Sequence, residues 1–345
     1  MVTTAYITHP RCAEHTLAGH VEHAGRIQAV WRELERAGLA RRMAAIEPPP
    51  ADLDLVYTVH SPIYVQELKH IARSINRVVL LNPDTYAGPT SFDVALLAAG
   101  GAVSAVDEVL SGRADAALAV VRPPGHHAVK AAPMGFCLLA NAALAVNHAR
   151  QAFGIERTLV LDFDVHHGNG TQDAFYDDPS VLFVSLHQYP FYPGTGALED
   201  VGTGAGRGYT VNLPLPAGHG DETYAALFSD VIWPLTERYQ PQLVVVSAGF
   251  DAHWADPLGG MALSLRGFAH ITSELIAMAN AMCSGKIVFV LEGGYNLDAL
   301  AHGVRNIAHL LLGDSEINDP LGPARMQPAP DIRPLITRAR RLHGL

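Results

Sequence analysis

Three residues from two distant segments have the types and spacing of ligands for a divalent metal ion. Asp164 and His166 are two residues apart at the end of an apolar run, so in a strand both side chains point to the same face. Alone, such a pair is more often a capped turn, but Asp251 follows a separate apolar run and could supply a third ligand. One imidazole and two carboxylates with an open position for water suit catalytic zinc and would also accept ferrous iron.

A pair of adjacent histidines could supply acid and base chemistry beside this metal site. His126 and His127 follow Pro-Pro-Gly, a segment suited to a turn that projects side chains into a cleft. One neutral imidazole could remove a proton from water while a charged partner stabilises negative charge, provided that groups such as Asp162 and Asn169 orient the rings. Tyr295 could donate a hydrogen bond to an oxyanion. The alternatives are a surface histidine pair and a buried structural tyrosine.

An alternating pattern of strands and helices would bring these residues together. Apolar runs rich in Val and Leu predict buried parallel strands at 116–121, 158–163, 181–186, 243–247 and 287–291. Helical stretches are predicted at 92–110, 138–153, 224–239, 268–282 and 297–312. This order indicates an α/β fold with a parallel sheet, in which ligands bind beyond the carboxyl ends of the strands. The candidate residues follow four of these runs.

The remaining composition indicates one soluble enzyme domain over residues 1–345, with an irregular tail at 318–345 that contains five prolines. Lys plus Arg number 24 against 34 Asp plus Glu, a net charge of −10, which disfavours nucleic acid as a partner. No apolar run predicts a membrane span and the start lacks signal-peptide features, so we expect a cytoplasmic protein. Cys12, Cys137 and Cys283 are widely spaced and are expected to be reduced thiols. The oligomeric state stays open.

Six motifs in this order resemble the histone deacetylase family, over roughly residues 1 to 315. They are RPPGHHA (122–128), GFC (135–137), DFDVHHGNGTQ (162–172), PGTG (193–196), AGFDAH (248–253) and EGGY (292–295). The resemblance implies an arginase/deacetylase-like α/β fold, a single domain with a central, mostly parallel sheet of about eight strands and helices on both faces. It also implies an amidohydrolase that removes acetyl groups from amines.

The resemblance assigns roles to the candidate residues. It implies zinc on Asp164, His166 and Asp251, with His127 as general base and acid. It further implies that His126 is an electrostatic partner oriented by Asp162, and that Tyr295 polarises the acetyl carbonyl. Structural potassium is implied on backbone carbonyls, at Asp162, Asp164, His166, Ser185 and Leu186.

The same resemblance implies a narrow tunnel for an acylated lysine side chain. Phe136 and Tyr192 would form its walls with Gly135 beside them, and Tyr192 stands where Phe is common in the family. Asp84 matches, through a loose alignment, a rim aspartate that holds the substrate backbone. Leu258 lies about where polyamine-selective relatives place a glutamate, so an apolar residue there favours acetyl-lysine in a peptide or protein.

Three alternatives accompany this hypothesis. An acetylpolyamine or other small-amine deacetylase is favoured by the acidic net charge and opposed by Leu258. An arginase-like ureohydrolase with two manganese ions needs more carboxylates than these motifs supply. A catalytically silent module that binds acylated amines is opposed by the intact histidine pair, ligand set and Tyr295.

Overall fold

The five apolar runs form neighbouring strands in a sheet of eight strands. The strands are β1 (Thr4–Ile7), β2 (Ala44–Ile46), β3 (Val79–Leu80), β4 (Tyr86–Ala87), β5 (Ala116–Ala119), β6 (Thr158–Asp162), β7 (Val181–Gln188), β8 (Thr210–Leu215), β9 (Leu243–Ala248) and β10 (Ile287–Leu291). The order in the large sheet is β2-β1-β5-β10-β9-β6-β7-β8, with every neighbouring pair parallel. β3 and β4 form a separate antiparallel hairpin. The structure, a computed structural model, describes residues 3–324 and 329–345.

Helices flank the large sheet, as the alternating pattern predicts. They are α1 (Gly25–Arg36), α2 (Leu53–Val56), α3 (Pro62–Ser74), α4 (Ser91–Leu110), α5 (Asn141–Phe153), α6 (Asn169–Phe175), α7 (Asp221–Leu227), α8 (Trp233–Tyr239), α9 (Leu265–Cys283), α10 (Leu297–Leu311) and α11 (Arg333–His343). α4 packs on α5 and on β1, β5 and β10, whereas α10 packs on α1 and α9. The prediction of a single α/β domain built on a parallel sheet is confirmed. No helix in the described ranges is both long and apolar enough to span a membrane.

The central strands are buried along their whole length because helices cover the sheet. All five residues of β6 and all six of β9 are buried, which explains why these strands appear in the sequence as continuous apolar runs. The ends of the helices carry ordinary capping residues. Ser264 caps α9 by accepting a hydrogen bond from Gly267 N, and Asn296 caps α10 in the same way.

The strand register brings the candidate residues to one edge of the sheet. Asp162 pairs with Ser247, Leu291 pairs with Ala248, and Val290 pairs with Ala119. The segments that follow β5, β6, β9 and β10 therefore leave the sheet at nearly the same height. Because all four strands point the same way, their polar continuations meet above the carboxyl edge.

The prediction of an irregular tail at 318–345 is wrong for the last part of this segment, which forms helix α11. Ile336, Ala339 and His343 are buried, a spacing of three and four residues that gives one apolar face. Pro334 lies in the first turn, where proline fits a helix, and Gly344 ends the helix with a φ of 68°. Pro334 therefore marks a helix start, and residues 325–328 lie outside the described part of the chain.

Candidate active site

The three predicted metal ligands converge beyond the ends of β6 and β9. His166 Nδ1 lies 3.0 Å from Asp164 Oδ1 and 3.2 Å from Asp251 Oδ2. One potential ligand atom from each residue lies within 4.8 Å of the other two. In the described part of the chain, Asp251 Oδ2 is buried without a hydrogen-bond partner outside the ligand set, in which His166 Nδ1 lies 3.2 Å away, although a buried polar atom is normally paired. The donor set and this unpaired oxygen fit a zinc-type cation.

Backbone amides fix the orientation of the two carboxylates. Asp164 accepts hydrogen bonds from His166 N at 2.9 Å and from Gly293 N at 2.8 Å. Asp251 Oδ1 accepts one from Val165 N at 2.8 Å. A Cβ on Gly293 would lie 2.2 Å from Asp251 Oδ2 and 2.5 Å from Asp164 Oδ2. The EGGY motif therefore needs glycine here, because its backbone passes directly against both ligands.

The electrostatics of this cluster also favour a bound cation. Burial, followed by the negative charge of Asp164, raises the pKa of Asp251 to about 7. Two carboxylates so close together in a buried site disfavour each other's ionised form. A divalent cation between them would compensate that charge and hold both carboxyls ionised.

The adjacent histidines lie against the three candidate metal ligands, Asp164, His166 and Asp251, which are called the metal cluster below. The two imidazoles have different hydrogen-bond partners. His126 Nδ1 lies 2.9 Å from Asp162 Oδ2, whereas His127 Nδ1 lies 2.7 Å from Asn169 Oδ1. Burial lowers the pKa of His126, but the charges of Asp164 and Asp162 outweigh it and raise this pKa well above 6.5. Burial and the charge of His126 lower the pKa of His127 well below that value. The dyad thus pairs a charged imidazole with a neutral one, the division expected of an acid–base site.

Glu292 holds the segment that carries the dyad, a role that was not predicted from the sequence. Its Oε2 accepts hydrogen bonds from Gly125 N at 2.7 Å and His126 N at 3.1 Å. Glu292 directly follows β10, so the EGGY motif also contacts the loop that follows β5. The only sequence feature that could have indicated this role is the position of Glu292 at the end of a predicted strand.

A second group of potential ligands, His126, Cys137 and Glu292, also comes together. His126 Nδ1 is occupied by Asp162, and Glu292 accepts two backbone amides. Burial raises the pKa of the Cys137 thiol well above 9, which disfavours the thiolate that metals require. This group therefore does not resemble the carboxylate-rich second site of a two-manganese enzyme.

A narrow slot of about 240 Å³ leads to the metal cluster and the dyad. Its lining is mainly aromatic and apolar. The lining residues are Asp84, His127, Gly135, Phe136, His166, Phe191, Tyr192, Leu258 and Tyr295. The sequence predicted all of these except Phe191, whose ring stacks on His166 with centroids 5.4 Å apart. The only sequence feature that could have indicated this position in the slot is that Phe191 directly precedes Tyr192.

The wall formed by Gly135 and Phe136 has an unusual backbone. Gly135 has a φ of 53°, and a Cβ there would lie 2.2 Å from the His127 ring. Phe136 has a φ of 69°, a conformation that is rare for a bulky residue. The Phe136 ring packs edge-on against Tyr295, with centroids 5.7 Å apart.

The opposite wall is held by two buried histidines. His167 Nδ1 lies 2.8 Å from Thr195 Oγ1, and His187 Nε2 lies 2.8 Å from the Gly196 carbonyl. A Cβ on Gly196 would lie 2.6 Å from both rings. The PGTG motif is therefore pressed against the two imidazoles, and this contact fixes the loop that carries Tyr192.

Tyr295 lines the slot beside the metal cluster, as expected. Its backbone N donates to Asp256 Oδ2 at 2.6 Å, and the guanidinium of Arg26 lies 5.0 Å from its ring centroid. Burial raises the pKa of Tyr295 well above 10, so the phenol remains a hydrogen-bond donor. No role was predicted for Asp256 from the sequence, and the structure shows that this carboxylate positions Tyr295.

Asp84 and Leu258 lie at the slot, and the predicted potassium site stays a prediction. Asp84 Oδ2 accepts a hydrogen bond from the Tyr192 hydroxyl at 2.9 Å. Ser185 pairs with Asp162 in the β6–β7 register, and Leu186 follows it in β7. The ends of β6 and β7 that carry the predicted carbonyl groups are therefore neighbours in the sheet. Potassium binding at these carbonyl groups remains a prediction.

Comparisons with known proteins agree with this arrangement. Residues 20–311 match the family described as histone deacetylase domain. The chain is 38% identical to Histone deacetylase 10, chloroplastic, of Oryza sativa subsp. japonica, over 99% of this chain and 81% of that protein. It is 42% identical to Polyamine deacetylase HDAC10 of Mus musculus, over 85% of this chain and 45% of that protein.

The fold comparison gives the same result. The solved HDA15 HD domain superposes with a TM-score of 0.90 at 34% identity, over 99% of this chain and 94% of that one. Because the family match spans most of the chain and includes the metal cluster, the dyad and the slot, this chain belongs to the histone deacetylase family of hydrolases that act on amide bonds.

Proposed function

We propose that this chain is a zinc-dependent deacetylase that hydrolyses N-acetyl amides of lysine side chains in peptides or proteins. One observation carries the proposal. The cluster of Asp164, His166 and Asp251 lies at the end of the aromatic slot beside His127, whose ring centroid is 5.8 Å from that of His166. An acetyl group at the end of a straight alkyl chain would enter this slot and reach both.

Asp164, His166 and Asp251 would hold the zinc, which when bound polarises the acetyl carbonyl and lowers the pKa of a water molecule. The chemistry supplied by the chain itself begins at His127. Its imidazole is neutral and is oriented through Nδ1 by Asn169, so Nε2 is free to accept a proton from the attacking water. The same nitrogen then returns the proton to the departing amine.

Two other groups stabilise the negative charge that develops on the carbonyl oxygen. The Tyr295 phenol, kept protonated by burial, donates a hydrogen bond to that oxygen. His126 is charged and lies with Nε2 3.8 Å from Asp164 Oδ1. Its positive charge, held beside Asp162, stabilises the negative charge that develops in the site.

The slot favours a slender alkyl chain as the substrate. Phe136, Phe191 and Tyr192 form its aromatic sides, which grip methylene groups and exclude water. Leu258 offers no charge to a distant ammonium, which favours acetyl-lysine. A small acetylated amine is the second candidate, supported by the 42% identity to a mouse protein named a polyamine deacetylase.

The test is a rate comparison with the zinc-loaded chain on acetyl-lysine peptides and acetylated polyamines. We expect hydrolysis of the peptides, and faster polyamine turnover would support the second candidate. If neither class were cleaved while a hydroxamate still bound, the chain would be a binding module. Ferrous iron is tested in parallel, because this ligand set accepts either metal.

A further inference from the structure

The carboxylate of Asp84 joins the two walls of the slot. On one side, Oδ1 accepts a hydrogen bond from Gly135 N at 3.2 Å. On the other side, Oδ2 accepts one from the Tyr192 hydroxyl at 2.9 Å. Thr85 completes the arrangement, because its hydroxyl donates to Asp84 Oδ1 at 2.6 Å while its oxygen accepts from Phe136 N at 3.1 Å.

Both carboxylate oxygens of Asp84 therefore accept hydrogen bonds from groups of the protein itself. Oδ1 has two donors, and Oδ2 has the Tyr192 hydroxyl. A carboxylate oxygen offers about two acceptor positions, so only one position on Oδ2 remains for a ligand. The Tyr192 hydroxyl stays protonated and can donate this hydrogen bond, because burial and the hydrogen bond to Asp84 raise the pKa of the phenol above 10.

A peptide substrate would need the same carboxylate. When an acetyl-lysine side chain fills the slot, its backbone lies at the mouth, where Asp84 and Tyr192 lie. Backbone N–H groups are hydrogen-bond donors, and a carboxylate is their strongest acceptor at such a rim. Two peptide N–H groups could bind Asp84 together only if the Tyr192 hydroxyl moved away.

We propose that the Tyr192 hydroxyl is a specificity-determining group, which occupies Asp84 and thereby disfavours acetyl-lysine in a peptide relative to small acetylated amines without a backbone. This inference rests on the deacetylase activity proposed above, and the effect of Tyr192 opposes the preference for acetyl-lysine peptides that Leu258 gives. A small acetylated amine carries no backbone N–H, so it loses nothing when Asp84 is occupied. Tyr192 is 36% exposed, so water can solvate a displaced hydroxyl and the discrimination is moderate.

The experiment compares the zinc-loaded wild-type chain with Tyr192→Phe, which keeps the ring and removes the hydroxyl. The substrates are an acetyl-lysine peptide, N-acetylpentylamine and mono-N-acetyl-1,5-diaminopentane, which share one alkyl chain. We expect the ratio of kcat/KM for the peptide over N-acetylpentylamine to rise about three- to tenfold in Tyr192→Phe, the size of one net hydrogen bond. The gain should lie in KM, and the diamine shows separately any effect of substrate charge.

Two controls separate competition for Asp84 from a change in slot width. A peptide with N-methylated backbone amides around acetyl-lysine lacks the competing donors, so its kcat/KM should not gain from Tyr192→Phe. In an Asp84→Asn background, Tyr192→Phe should also give no gain. An unchanged peptide ratio, or an equal gain with the N-methylated peptide, would overturn the proposal.

A further comparison needs no variant of Tyr192. In the wild type, N-methylation of the peptide should lower kcat/KM by no more than about three- to tenfold, because Asp84 has an acceptor position for one backbone hydrogen bond at most. A loss well beyond about tenfold, which needs two backbone hydrogen bonds, would show that Asp84 accepts the backbone freely and would refute the inference. If the wild type cleaved none of the substrates, the deacetylase proposal itself would fail, and calorimetric binding of the same peptides to both chains would still test the Tyr192 effect.

Discussion

The imidazole of His127 lies 2.7 Å from the side-chain oxygen of Asn169, so a neutral amide orients this ring while a carboxylate faces its neighbour His126. The two partners differ in charge. An amide oxygen fixes the tautomer of His127 without stabilising its charged form as strongly as a carboxylate would. The arrangement keeps one of the two adjacent imidazoles neutral.

Replacement of Asn169 should therefore lower turnover without unfolding the protein. We expect Asn169→Ala to reduce kcat about tenfold to a hundredfold, because an unoriented ring loses part of the contribution of general base catalysis. The measurement is kcat on the substrate identified by the rate comparison. Asn147→Ala, which removes an amide on helix α5 that bonds Thr58, is the control and should keep normal turnover. Equal rates for both variants would remove Asn169 from the mechanism.

Removal of the Tyr295 hydroxyl should affect the transition state far more than substrate binding. Tyr295→Phe should lose about 2 to 4 kcal/mol of transition-state stabilisation, the usual effect of deleting an oxyanion donor. The loss should appear in kcat, with KM little changed, in steady-state kinetics. Tyr209→Phe alters a tyrosine that packs on Tyr239 outside the slot and should be almost silent. Near-normal turnover by Tyr295→Phe would contradict the assigned role.

Metal removal should destabilise the chain as well as inactivate it. Without a cation, Asp251 is a buried carboxylate beside the carboxylate of Asp164, and burial and that charge both disfavour its ionised form. Zinc at a hundred times its Kd should stabilise the fold by about 2.7 kcal/mol through mass action. The melting temperature of chelated protein should therefore rise when zinc is added. Asp251→Asn should lose most of this rise, and an equal rise in that variant would place the zinc elsewhere.

A buried ion network away from the metal should control stability at low pH. Glu22 accepts hydrogen bonds from Arg122 at 2.7 and 2.6 Å and from Arg26 at 3.0 Å. Burial raises the pKa of Glu22, but the charge and hydrogen bonds of Arg122 and the charge of Arg26 outweigh it and hold this pKa below 4.5. Its contribution to stability is therefore present above pH 4.5 and is lost as the pH falls below that value.

We expect Glu22→Gln to lower the free energy of unfolding at pH 7 by about 3 to 5 kcal/mol, because it leaves Arg122 buried without its counter-charge. The difference from the wild type should shrink below pH 4.5 in urea unfolding. His15, whose Nε2 lies 4.0 Å from Glu22 Oε2, adds a second pH dependence to the free energy of unfolding of the wild type. Burial lowers its pKa from 6.5 to about 3, so its contribution is lost as the pH falls from 6.5 towards 3. A difference independent of pH would contradict this account.

The central strands could be predicted from the sequence, but the outer strands could not. The five apolar runs correspond to β5, β6, β7, β9 and β10, all buried by flanking helices. In the large sheet the prediction missed β1, β2 and β8, and it also missed the separate β3–β4 hairpin. β1 and β2 are only four and three residues long. β8 contains Asn212 and Pro214 and lies at the edge of the sheet, where proline is tolerated because one side needs no hydrogen-bond partner.

The site residues divide in the same way. Asp164, His166 and Asp251 could be proposed together because parallel strands end at one edge of the sheet. The roles of Glu292 and Asp256 could not, since both act through backbone amides of distant loops. A sequence does not show which remote N–H a buried carboxylate will face. The contact between Tyr192 and Asp84 likewise depends on how two loops meet.

The backbone conformation of Phe136 lowers the stability of the fold, but it places the Phe136 ring in the wall of the slot. The other two non-glycine residues with positive φ in the described ranges, Gln240 and Ser284, follow the last turns of helices α8 and α9, where this conformation is common. Phe136 instead lies in a loop, where such strain costs about 1 to 3 kcal/mol. A glycine there would relieve the strain and remove the wall. Selection for thermal tolerance alone would therefore erode the slot at this position.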